Sequence, residues 1–199
     1  CGALRFHLND QEAGLDDMRR NIDAWWPLVD RVEAIVMTAS GCGVTVKEYG
    51  HLLAHDSAYA EKARRISEMT RDLSEIMPQF EAELAAKLKG KIAKRVAWHP
   101  PCTLQHGQQI RGKVEGVLRA AGVDLQLCAD SHLCCGSAGT YSVLQPELST
   151  ELRDRKLAGL HATRPEVIVS ANIGCQTHLQ SGTDTPVSHW IELLDQALA

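Results

Sequence analysis

The sequence predicts an α/β protein made of two similar Rossmann-like lobes with mostly parallel sheets, the first lobe truncated at its N-terminus. Three observations carry that expectation. Short β-branched runs alternate with longer amphipathic segments, the pattern of βαβ units. Two stretches, AIVMTASGCGVTV (34–46) and VIVSANIGCQTHL (167–179), share an apolar run, then small polar residues, then Gly-Cys. A Cys-Gly pair precedes each at nearly equal distance: Cys1-Gly2 begins 41 positions before Cys42, and Cys135-Gly136 begins 40 before Cys175. A long shared period marks two copies of one supersecondary unit. It divides the chain into lobes over 1–89 and 90–199.

Each element follows from local pattern. Residues 16–32, DDMRRNIDAWWPLVDRV, space their apolar positions as an amphipathic helix, bent near Pro27. It feeds a strand at 34–37. Segments 46–55, 60–77 and 80–88 read as helices, the charged residues of 61–75 forming a solvated face. RVAWHPPC (95–102) is a short strand stopped by Pro100-Pro101. A helix over 110–122 ends at Gly122, and VDLQLC (123–128) is the next strand. A helix over 146–160, a strand over 166–171 and a closing helix over 186–198 complete the chain. Trp25 and Trp26 read as one core contact and one partly covered ring.

Composition narrows the function. A chain of 199 residues with 44% hydrophobic and 23% charged residues is ordinary for a globular protein. The net charge of −4, without a dense Lys/Arg cluster, argues against nucleic-acid binding. No apolar run approaches the ~20 residues that span a bilayer. The chain opens CGALRF without methionine, so a preceding segment is expected. Neither GCGVTV nor GSAGT has the spacing of a dinucleotide or P-loop site. No Ser-His-acid arrangement stands out, and SGTDTP reads as a loop.

The cysteines are the informative residues. Seven is an odd number, and no secretory hallmark accompanies them, which favours a metal or redox role over a disulfide framework. Cys42, Cys102, Cys128 and Cys175 each fall at or just past the end of an expected strand, the edge where open α/β sheets bind ligands. In the second half, Cys102 is followed by Cys134-Cys135-Gly136 and then by Cys175. Adjacent sulfurs cannot easily bridge to each other. The tight C-x₂₋₄-C pairs usual for zinc are missing, so the spacing favours iron–sulfur over zinc without deciding it. Gly136 leaves the backbone free to turn sharply. Cys128 has no counterpart in the pattern and reads as a small buried residue. His99 lies near the strand-edge site or simply ends a strand.

The pattern Cys102…Cys134-Cys135-Gly136…Cys175 resembles the cysteine-rich CCG domain, found in heterodisulfide reductase subunits and in iron–sulfur subunits of lactate- and glycolate-oxidising complexes. SGCGVTVKEYGHLL, HPPCTLQHGQQI, LCCGSAGTYSVLQPELS and SANIGCQTHLQSG resemble more closely the glycolate oxidase iron–sulfur subunit family. The resemblance implies an electron-transfer subunit holding an iron–sulfur cluster of 4Fe–4S type. Its metal ligands would be Cys102, Cys134, Cys135 and Cys175, with Cys1 and Cys42 in the first lobe. It also implies a preceding part with two ferredoxin-like motifs and FAD in partner subunits that oxidise glycolate to glyoxylate. A membrane quinone would accept the electrons, at a cytoplasmic site peripheral to the inner face of the bacterial plasma membrane. The chain alone would be inactive, because no cofactor for hydride removal is supplied by these residues. The sequence departs from the fullest pattern by having Cys175-x-x-His178 and Cys42-x-x-Thr45 where a final Cys-x-x-Cys stands. His178 reads as a replacement ligand or as an exposed helix-start residue. The other readings are a lactate-oxidising complex, a heterodisulfide-reductase-like thiol–disulfide catalyst, and a scaffold with degenerate CCG sites.

Overall fold

After a single turn, α1 (Ala3–His7), the chain forms α2 (Gln11–Trp25), where Gly14, Met18 and Ile22 recur every four residues and make one buried stripe. Pro27 cannot continue that helix, and a 3₁₀ turn covers Trp26–Leu28. Strand β1 (Ile35–Met37), α3 (Ser40–Lys47), α4 (Tyr49–Leu52), α5 (Ala60–Met69) and β2 (Thr70–Asp72) follow. The structure is a computed structural model that describes residues 1–199, in two units, Cys1–Leu73 and Ser74–Ala199. In the first unit β1 and β2 pair in parallel, with Val36 opposite Arg71. Its core gathers Met18, Ile22, Val46, Tyr49, Leu53 and Ile66, with both Trp25 and Trp26 partly buried against it. Helix α5 buries Ala63, Ile66 and Met69 and leaves Glu61, Arg64 and Glu68 exposed, as its pattern predicts.

The expected helix over 60–77 is interrupted by β2. Thr70 Oγ donates to the Ile66 carbonyl at 2.7 Å and the backbone turns extended at Thr70, so the helix ends at Met69. The next three residues are captured by β1.

Helix α6 (Leu73–Ile76) crosses the division between the units, and a second 3₁₀ turn covers Met77–Phe80. The second unit continues with α7 (Glu81–Leu88), β3 (Arg95–His99), a π-helical turn (Thr103–Gly107), α8 (Lys113–Ala120), β4 (Asp124–Leu127) and α9 (Tyr141–Leu144). It ends with α10 (Pro146–His161), β5 (Val167–Ser170), α11 (Ile173–Gln180), β6 (Val187–His189) and α12 (Trp190–Leu198). The sequence placed the lobe boundary at 89/90; in the structure α7 packs on α8 and α12 and belongs with the second unit.

Four strands pair in the order β4-β3-β5-β6, all parallel. Residues Val96–His99 and Val167–Ser170 are buried throughout, as central parallel strands covered on both faces require. Strand β6 lies inside the segment expected as the start of the closing helix. Its last residue, His189, caps α12 instead, in a reciprocal box with Glu192.

The two units repeat one plan. In each, a strand (β1, β5) leads into a helix (α3, α11) whose third residue is a cysteine, Cys42 or Cys175, and a short parallel strand (β2, β6) lies alongside. The two-stranded sheet of the first unit thus corresponds to the β5–β6 pair of the second. No helix is long and apolar enough to cross a membrane.

Candidate metal centre

Strands β3 and β5 are neighbours, but the chain leaves β3 toward β4 on one side and β5 toward β6 on the other. Such a reversal opens a crevice at the carboxyl ends of the two strands, the usual ligand position in an open α/β sheet. The last residues of both strands, His99 and Ser170, pair there, and Ser170 Oγ donates to the His99 carbonyl at 3.0 Å. Cys102 follows β3 at the start of the π-helical turn, a geometry frequent at functional sites. Cys134 and Cys135 lie in the loop after β4, and Cys175 lies in the first turn of α11.

These four cysteines converge. Their side chains hydrogen-bond in sequence, Cys102 to Cys134, Cys134 to Cys135, and Cys135 to Cys175. The bonding sets alternating acidities. The Cys102 thiol is pushed up by its bond to Cys134 and then by burial, whereas Cys134 is lowered by its bonds from Cys102 and Cys135. Cys135 is raised by its bonds to Cys134 and Cys175, and Cys175 is lowered well below the ordinary thiol value by Cys135, with His99 contributing. Sulfur is also fed by backbone and amide donors: the Gly136 N–H donates to Cys134 Sγ at 3.2 Å, and Asn172 Nδ2 donates to Cys175 Sγ at 3.8 Å.

Gly136 makes the turn possible. Its φ is 91°, and a Cβ there would stand 2.3 Å from the Ser149 carbonyl oxygen. Ser149 Oγ donates to the Gly136 carbonyl at 2.9 Å, fastening the loop to α10. His178 Nε2 lies 3.1 Å from Ser149 Oγ and 3.2 Å from the Ser149 carbonyl oxygen. His178 is therefore neither an exposed helix-start residue nor turned to the sulfurs; it is half-buried and braces the Cys-Cys-Gly loop.

His99 is the histidine at the site. It is fully buried, and a ring nitrogen lies with the sulfurs of Cys135 and Cys175 in a group whose ligand atoms are all within 4.8 Å of one another. Neither ring nitrogen has a hydrogen-bond partner of good geometry. Four thiols beside an unpartnered buried imidazole form a soft donor set of the kind that holds iron–sulfur clusters or zinc. A cavity of about 80 Å³ adjoins Cys134, with Arg155 and Lys156 in its wall. Lys156 is buried, and its Nζ donates to the Asp130 carbonyl at 2.7 Å. Its charge opposes the upward shifts of Cys102 and Cys128.

The remaining cysteines are not bonded into this chain of thiols. Cys128 shares one buried cluster with Cys135, Cys175, Leu157, Leu160 and Ile168, and burial raises its thiol. In the first unit Cys1 is exposed and Cys42 half-buried. Tyr49 is near both, donating to the Cys1 carbonyl at 3.0 Å, while burial and then Cys42 help push its phenol up to about 12. The glycine beside Cys1 matches its counterpart: Gly2 has φ 84°, and a Cβ there would stand 2.4 Å from the Gly14 carbonyl oxygen. Thr45, the counterpart of His178, donates to the Gly41 carbonyl at 3.3 Å.

Ser149 and Lys156 carried no signal in the sequence beyond their spacing. They lie seven residues apart on α10, on the buried face that Leu160 continues.

The chain is similar in sequence to several known proteins. Residues 96–180 match the family model described as a cysteine-rich domain, CCG. Over all 199 residues the chain is 53% identical to the "Glycolate oxidase iron-sulfur subunit" of Escherichia coli K12, covering 48% of that protein. It is 29% identical over 185 residues to the "Probable glycolate oxidase iron-sulfur subunit" of Bacillus subtilis, covering 92% of this chain and 41% of the relative. It is 26% identical over 180 residues to "Lactate utilization protein A" of Bacillus licheniformis, covering 88% of this chain and 71% of the relative. The chain spans about half the length, or less, of the two glycolate oxidase relatives.

Proposed function

We propose that this chain is part of the electron-transfer iron–sulfur subunit of a glycolate-oxidising complex. The observation that carries the reading is the convergence of Cys102, Cys134, Cys135 and Cys175 at the switch point between β3 and β5. These four are the ligands of an iron–sulfur cluster of 4Fe–4S type, and Cys1 and Cys42 are the corresponding ligand positions of the first unit. When bound, the cluster supplies one-electron transfer. The protein's own residues hold it, donate N–H groups to its sulfur ligands, and surround it with apolar side chains.

Glycolate is oxidised on FAD in partner subunits, because no residue here supplies a hydride acceptor. Electrons pass on to a membrane quinone, with the complex cytoplasmic and peripheral to the inner face of the membrane. Glycolate is favoured over lactate because identity to the E. coli glycolate oxidase subunit is about twice that to the lactate utilization protein. The test is steady-state oxidation by the assembled complex with each acid. The expected result is a kcat/KM at least tenfold higher for glycolate. A preference for lactate would contradict the assignment.

A further inference from the structure

His99 is built into the site in a way the four cysteines do not explain. It closes β3, the strand that lies between β4 and β5, and it has no solvent exposure. A buried imidazole ordinarily finds a partner for its ring N–H, since an unsatisfied polar group in the interior costs about 1–3 kcal/mol. Neither nitrogen of His99 has a partner of good geometry, and the interaction the ring does make is with the Cys175 thiol. What the ring does face is sulfur: one of its nitrogens sits within 4.8 Å of Cys135 Sγ and Cys175 Sγ. His178, which braces the same loop, is already bound to Ser149.

We propose that His99 is a nitrogen ligand at the iron site, beside Cys135 and Cys175. The proposal rests on the iron–sulfur reading above and adds a donor to it. One ring nitrogen gives its lone pair to iron and the other keeps its proton, so the imidazole binds neutral where a cysteine would bring a negative charge. Replacing thiolate by imidazole at an iron raises the reduction potential. The site is thereby set to accept electrons more readily than an all-cysteine site in the same pocket.

The test uses the full-length protein in its complex, purified anaerobically, in unlabelled form and with ¹⁵N-histidine. Iron and acid-labile sulfide are measured first, and the reduced protein is then examined by pulsed electron paramagnetic resonance. The expected result is a nitrogen coupling of directly bound size that changes isotope with histidine labelling. It disappears in His99→Cys, which offers a thiolate in place of the ring, and persists in His178→Ala. The midpoint potential falls in His99→Cys. Iron present in the wild type without a histidine coupling overturns the ligand assignment alone, as does a coupling that survives His99→Cys. Absence of iron, or zinc in its place, overturns the iron–sulfur reading and the ligand assignment with it.

Discussion

Cys134 and Cys135 are adjacent in the chain yet opposite in acidity, the first lowered by its bonds from Cys102 and Cys135 and the second raised by its bonds to Cys134 and Cys175. Both sulfurs reach one pocket because the backbone reverses immediately after them at Gly136. Cys128 is buried in the same cluster as Cys135 and Cys175, but burial and not a neighbouring thiol raises it. Cys128→Ser places a hydroxyl in that core at a cost of about 1–2 kcal/mol, which lowers the melting temperature by roughly 2–8 °C in a chain of this size. Iron content and activity of the complex should be unchanged. Cys134→Ser and Cys135→Ser should do the reverse, losing iron and activity. Thermal melts with iron analysis check the contrast, and equal, mild effects at all three positions would remove Cys134 and Cys135 from the ligand set. At this scale the spacing of the cysteines already separated Cys128 from the other four. His99 was ambiguous because a histidine before Pro-Pro reads equally well as the end of a strand. Its environment becomes visible only when β5 is placed beside β3.

Strands long enough to show a β-branched or apolar run, β3, β4 and β5, stand where the sequence put them, as does β1. Strands β2 and β6 fall inside expected helices: each has three residues, as β1 has, but Thr-Arg-Asp and Val-Ser-His lack the all-apolar run of Ile-Val-Met. They are extended because a parallel neighbour captures them, which is a tertiary effect. Helix α11 is only eight residues long and carries a glycine in its first turn, Ile-Gly-Cys, so its helical pattern is weak in sequence although Asn172, a favoured N-cap residue, precedes it. The Cys-Cys-Gly turn gives a test at this scale. Gly136→Ala meets both a left-handed backbone and the Ser149 carbonyl, and should destabilise the second unit by about 3 kcal/mol or more. Gly139 also has positive φ, 62°, but open space around its missing Cβ. Gly139→Ala should therefore cost only about 1–2 kcal/mol, the left-handed penalty alone. Chemical denaturation measures both. Equal losses would show that the approach to α10 is not what requires glycine at 136.

The internal repeat, legible as two Gly-Cys segments, organises the whole chain: each copy presents a cysteine in the first turn of a helix and a Cys-Gly turn with positive φ held against another helix. The copies differ in what surrounds that turn. The second unit adds β3 and β4, and with them Cys102 and His99, so its donor set is the fuller one. That difference locates the central claim in the pocket at the ends of β3 and β5. The most direct measurement compares the full-length protein in its complex with a Cys135→Ser/Cys175→Ser variant for iron, acid-labile sulfide and the paramagnetic signals produced by glycolate. The variant should lose the iron, sulfide and signal of one cluster while its partner flavin is still reduced by glycolate. Iron, sulfide and signals equal to those of the wild type would contradict the account.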